Sequence, residues 1–225
     1  MLKDENENEI VHVYFMPGMA ANATIFEHIQ LPEQQFKMHF LNWFLPEKNE
    51  SLTNYALRMV KHIKHENPIL VGVSFGGILI QEMAKHIKTR KNIVISSVKL
   101  SKELPRRMQL AKKTKLYKML PTGLVNNVAL VAKLAFGETA KKHIDLYEKY
   151  LSVRDKYYLD WSIDSIINWQ QYEVLPNTIH IHGAKDNVFP IRYINECITI
   201  PTGTHIMIIN KFKWFNEHLP ELMLT

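Results

Sequence analysis

Residues Pro68 to Lys88, PILVGVSFGGILIQEMAKHIK, constrain this chain more than any other stretch. Ile69, Leu70 and Val71 form a short apolar run of the kind a buried strand carries, and from Ile78 onward Ile80, Met83, Ala84 and Ile87 continue at helical spacing. Between them lies Gly72-Val73-Ser74-Phe75-Gly76-Gly77. A strand that turns into a helix over so few residues needs a cramped backbone, and glycines flanking Ser74 leave room for it. The plain alternative is an ordinary strand-to-helix turn that happens to contain a serine.

On both sides of this unit the chain alternates. Ile10 to Met16 reads as a strand ending at Pro17-Gly18, after which Asn22 can cap a short helix to about Leu31. Phe36 to Phe44 is a second strand candidate. Ser51 opens a helix from about Thr53 to His65, with Leu57, Val60 and Ile63 apolar, and Ile93 to Ile95 is another short strand. The order β-α-β-α-β-α-β predicts a parallel sheet with helices on its faces, because right-handed crossovers put them there. Strands at Thr178 to His182 and Cys197 to Ile200, then a helix from about Lys211 to His218, resume the pattern, so about six parallel strands are expected.

The composition changes where the alternation breaks. Residues 99–173 hold 14 Lys and Arg against 8 Asp and Glu, the whole of the formal net charge of +6, while the remainder is balanced. This segment reads as helical. Leu124 to Phe136 is apolar on most sides, Ala140, Ile144, Tyr147 and Leu151 share a stripe, and Tyr158, Trp161, Ile166 and Trp169 predict a third helix. The chain therefore divides into a core of residues 1–98 and 176–225 and an inserted helical unit of residues 99–175. The basic run Arg106, Arg107, Lys112, Lys113, Lys115 and Lys118 contains no acid; it reads as a solvated helix face, with an anionic carrier or a membrane face as the alternative.

Several classes are excluded by composition. No apolar run approaches the ~20 residues of a membrane-spanning helix, and MLKDENENEI is too polar and acidic for a signal peptide. One cysteine, Cys197, permits no internal disulfide and places the protein by expectation in the cytoplasm. A neutral framework without a recognised module argues against nucleic acid. Of the eleven histidines, His180 and His182 share a strand face and are expected to pack or bond locally, while His62 and His65 lack a third ligand nearby, so no metal and no cofactor are expected.

With its strand before and helix after, the Gly72, Ser74, Gly76 pattern matches G-x-S-x-G and resembles the nucleophile elbow of the α/β-hydrolase superfamily. The resemblance covers the framework outside the insertion. It implies the α/β-hydrolase fold without an N-terminal hairpin, since strand signal is lacking before Ile10, and it implies that residues 99–175 form a cap over the active site. A serine hydroxyl is a poor nucleophile at neutral pH and needs an imidazole to take its proton and a carboxylate to orient that imidazole. The superfamily's chain order is Ser, acid, His. On this resemblance Ser74 is the nucleophile, and Asp186, in Gly183-Ala184-Lys185-Asp186 beyond a strand, is the acid, with Glu103 as the fallback. His205, in Gly203-Thr204-His205 after the last strand, is the base. The oxyanion donors would be the backbone N–H groups of Phe75 and Met19, with Ala20 as a near alternative to Met19. Here Phe15-Met16-Pro17-Gly18-Met19-Ala20 stands in the place of an H-G-x motif, and proline replaces the usual histidine.

The implied activity is hydrolysis of a carboxylic ester or thioester in a small-molecule acyl substrate, through an acyl-enzyme on Ser74 and without a cofactor. Two alternatives use the same fold: a non-catalytic small-molecule receptor, and an amidase or C–C hydrolase with the same triad.

Overall fold

Six short strands build one parallel sheet in the computed structural model, which describes residues 10–119, 150, 153 and 155–225. They are β1 (Val11–Met16), β2 (Phe36–Phe40), β3 (Ile69–Val73), β4 (Lys91–Ile95), β5 (Thr178–Gly183) and β6 (Ile198–Ile200), in the spatial order β2-β1-β3-β4-β5-β6. Ile69, Leu70, Val71, Ile93, Val94 and Ile95 have no solvent exposure. The two inner strands are covered on both faces, which is why their sequences are continuous apolar runs rather than alternating ones.

The flanking helices follow local signals, with two differences from the sequence reading. Ser51 caps α1 (Leu52–Val60), its Oγ accepting from the Asn54 N–H at 3.2 Å. That helix stops before His65, because Lys61, His62 and Ile63 bond three residues back and tighten the chain towards β3. Asn22 caps only a 3₁₀ turn, Ala23–Phe26, through the Thr24 N–H at 2.9 Å. β2 likewise ends at Phe40, after which the chain leaves the sheet edge and Trp43 lies flat on Phe75, ring centroids 4.8 Å apart.

α2 (Phe75–Ala84) is buried from Phe75 to Met83, a helix sandwiched between sheet and neighbours rather than a half-exposed one. The C-terminal helix, Phe212–Leu224, continues past its Pro220, with Phe215, Leu219 and Met223 fully buried.

Within the inserted segment, α3 (Arg106–Thr114) buries none of its residues. A longer helix, Lys156–Asn168, is capped by Asp155, whose side chain accepts from the Tyr158 N–H at 2.8 Å. It buries Tyr158, Trp161 and Ile166, and Trp169 just beyond it donates its indole N–H to Glu82 Oε1 at 2.8 Å. The helix expected at Leu124 to Phe136 and the stripe of Ala140, Ile144, Tyr147 and Leu151 lie outside the described residues. No helix among the described residues is long and apolar enough to cross a membrane.

Candidate active site

The carboxyl ends of parallel strands share one edge of a sheet, and in this fold type that edge is where ligands meet the chain. Six connections leave from it, and four concern the site: those after β1, β3, β5 and β6. They carry Met19, Ser74, Asp186 and His205 respectively.

Ser74 sits between β3 and α2 with φ 54° and ψ −121°, a left-handed conformation uncommon for a residue with a side chain. Close approach makes it affordable. A Cβ on Gly72 would lie 2.4 Å from the Gly76 carbonyl oxygen, and one on Gly76 would lie 2.3 Å from that of Pro17, so both positions admit only glycine without backbone movement. The strained turn is held by two bonds from β4 and its exit: Ser74 N–H donates to the Ile95 carbonyl at 2.9 Å, and Ser97 Oγ donates to the Ser74 carbonyl at 2.6 Å.

His205 Nε2 lies 3.0 Å from Ser74 Oγ, and its Nδ1 lies 2.8 Å from Asp186 Oδ2. An ionised carboxylate only accepts, so Nδ1 carries the proton and Nε2 presents its lone pair to the serine hydroxyl. The other carboxylate oxygen, Oδ1, accepts the Val188 and Phe189 N–H groups at 2.8 and 2.9 Å. Burial alone would push the Asp186 carboxyl up. The adjacent His205, its hydrogen bond, His182 and the Phe189 N–H outweigh that, and the carboxyl is held below the ordinary aspartate value.

Glu103 is not brought onto His205. Its buried carboxylate accepts the N–H groups of Lys99 at 2.6 Å, Leu100 at 3.2 Å and Asn195 at 3.1 Å, tying the exit of β4 to the connection before β6.

The donor turn is packed against the serine: a Cβ on Gly18 would stand 3.4 Å from Ser74 Cβ. Phe75 is the first residue of α2, so its N–H has no acceptor within the helix. No partner among the described residues accepts from the Met19 N–H. The Ala20 N–H is taken, donating to Tyr158 Oη at 3.2 Å.

Residues that sequence reasoning missed hold this turn, in which Pro17 precedes Gly18. Trp43 donates its indole N–H to the Gly18 carbonyl at 2.8 Å, and Tyr158 reaches Ala20 from the inserted helix. His182, foreseen as locally bonded, lies beneath the acid: its Nε2 meets the Phe189 carbonyl at 2.8 Å and stands 3.6 Å from Asp186 Oδ2. Burial, first of all, keeps its imidazole below the ordinary histidine value and so neutral.

Ser74 and His205 open into a cavity of about 450 Å³. Its walls are mostly apolar: Met19 and Ile25 from the donor side, Met108 from α3, Ile163 and Ile166 from the Lys156–Asn168 helix, and Phe189 from the acid loop. Arg107 also lines it and donates to the Asn187 and Val188 carbonyls at 2.8 and 2.9 Å, joining α3 to the loop that carries Asp186.

No family model and no curated protein matches this sequence. Solved structures do match in shape. A hydrolase from Oleispira antarctica superposes with a TM-score of 0.71 at 15% identity, covering 96% of this chain and 92% of its own. An esterase from Exiguobacterium antarcticum gives 0.63 at 16% identity over 97% and 93%. A bromoperoxidase from Bacillus anthracis gives 0.67 at 15% identity over 97% and 93%. With its six-stranded parallel sheet and flanking helices, the chain has the α/β-hydrolase fold. At such identities the likeness defines the fold, and the reaction has to be argued from the site.

Proposed function

We propose that this protein is a serine hydrolase that cleaves a carboxylic ester or thioester with an apolar acyl portion. One observation carries the reading: an unbroken hydrogen-bonded path from the buried Asp186 through His205 to Ser74 Oγ ends in a largely apolar cavity.

In the proposed reaction Ser74 Oγ attacks the substrate carbonyl carbon while its proton passes to His205 Nε2. Negative charge on the carbonyl oxygen is met by the N–H groups of Phe75 and Met19. The imidazolium is stabilised by Asp186 and gives its proton to the departing alkoxide or thiolate, leaving an acyl ester on Ser74. Water then attacks that ester, His205 takes the water proton and returns it to Ser74 Oγ, and the carboxylic acid leaves. Residues 99–175 act as a cap, with α3 and the Lys156–Asn168 helix supplying one wall of the acyl cavity.

The bond from Ser74 Oγ to an oriented imidazole favours catalysis over the binding-protein alternative. A fluorophosphonate probe tests the nucleophile: it should label the wild type and leave Ser74→Ala unlabelled. Equal labelling of both, or of neither, refutes the assignment. Aryl esters of increasing acyl length should then be turned over, whereas labelling with no turnover of any of them transfers the case to the amidase, C–C hydrolase or receptor alternatives.

A further inference from the structure

Three histidines distant in sequence meet on the sheet. His12 and Tyr14 lie on the same face of β1, two residues apart, and Tyr14 is paired in register with His39 of β2. His65 comes over them from the connection between α1 and β3. His12 Nδ1 lies 2.8 Å from His39 Nε2, and the His12 and His65 rings stack with centroids 3.4 Å apart. One ring nitrogen from each of the three lies within 4.8 Å of the others, and all three side chains are half-buried.

The surroundings fit imidazoles that offer lone pairs. Among the described residues no carboxylate pairs with any of the three. Tyr14 Oη, which accepts the Lys64 N–H at 3.0 Å, lies 2.6 Å from His65 Nδ1. That contact occupies His65 Nδ1 in the present geometry. His62, the partner that sequence spacing offers His65, faces Phe44 instead, with ring centroids 5.7 Å apart.

We propose that His12, His39 and His65 form a three-nitrogen site for a divalent transition-metal ion of the zinc type, with solvent as fourth ligand, clipping β1, β2 and the α1–β3 connection together. Imidazole nitrogen suits Zn²⁺, Ni²⁺ and Cu²⁺ rather than Mg²⁺ or Ca²⁺, which take oxygen. Binding requires the His12–His39 hydrogen bond to open and the His65 ring to turn out of its stack on His12 and away from Tyr14, since a protonated ring nitrogen offers no lone pair and two parallel stacked rings cannot aim in-plane lone pairs at one ion. The site shares no residue with the Ser74 cavity, so it stands or falls apart from the proposed hydrolase chemistry.

The test is titration of chelator-stripped full-length protein with Zn²⁺ by calorimetry, alongside the visible spectrum of a Co²⁺-loaded sample. One equivalent of Zn²⁺ should bind, raise the thermal midpoint and displace Co²⁺ that shows the intense absorption of four-coordinate geometry. His39→Ala and His65→Ala should each weaken binding more than about tenfold, while His205→Ala leaves it unchanged. His39→Gln and His65→Gln serve if the alanine variants do not fold. No binding, a weak six-coordinate Co²⁺ spectrum, or affinity unchanged in the His39/His65 variants overturns the proposal.

Discussion

Asp186 shows how one side chain is made to serve both orientation and stability. Both its oxygens are occupied, Oδ1 by two backbone N–H groups and Oδ2 by His205. Its carboxyl is held below the reference value of 3.8, so folding favours the ionised form. The stabilisation is complete above the unfolded value and is lost as pH falls through the lower, folded one. Asp186→Asn should therefore flatten the acid limb of stability against pH, followed by chemical denaturation at successive pH values. The same variant offers an amide N–H to His205 Nδ1 and favours the wrong tautomer, so ester turnover should fall by a factor on the order of 10⁴. Ser74, Asp186 and His205 were legible in the sequence because each follows a strand and their chain order is distinctive. Trp43 and Tyr158 were not. Their bonds to Gly18 and Ala20 span 25 and 138 residues and depend on how a loop and an inserted helix return to the turn, which no local periodicity encodes.

Element boundaries obeyed burial wherever burial and local propensity disagreed. The sequence reading ends the final helix near His218, and Pro220 opposes any extension, because a residue before proline resists helical geometry and proline withholds an N–H from the carbonyl four residues back. It runs on to Leu224 because Leu219 and Met223 are fully buried on either side of Pro220. The proline thus persists at a cost to the helix. Pro220→Ala should raise unfolding free energy by about 1–3 kcal/mol, read from the urea midpoint at unchanged slope. The strands of the inner sheet were easy to read, since a strand covered on both faces advertises itself as an unbroken apolar run. β2, at the edge, has Phe36 buried but Phe40 exposed, and its end at Phe40 carried no such signal.

At the scale of the whole molecule, the sheet edge holds Ser74, Asp186 and His205 together, and α3 and the Lys156–Asn168 helix line the cavity beside them. Ile166, on the Lys156–Asn168 helix, is buried and faces the cavity that Ser74 opens into. Ile166→Trp should fill part of that space and lower kcat/KM for long-chain aryl esters about tenfold relative to acetyl esters, with fluorophosphonate labelling retained. An unchanged chain-length profile would place the acyl group elsewhere. Ser74 and His205, bonded across the sheet edge, are 131 residues apart in the chain. On the proposed mechanism a nucleophile that depends on so late a partner has no base while the chain is being made: a nascent polypeptide ending anywhere between Lys88 and His205 already contains the whole elbow, yet lacks the base that would let metabolites acylate Ser74.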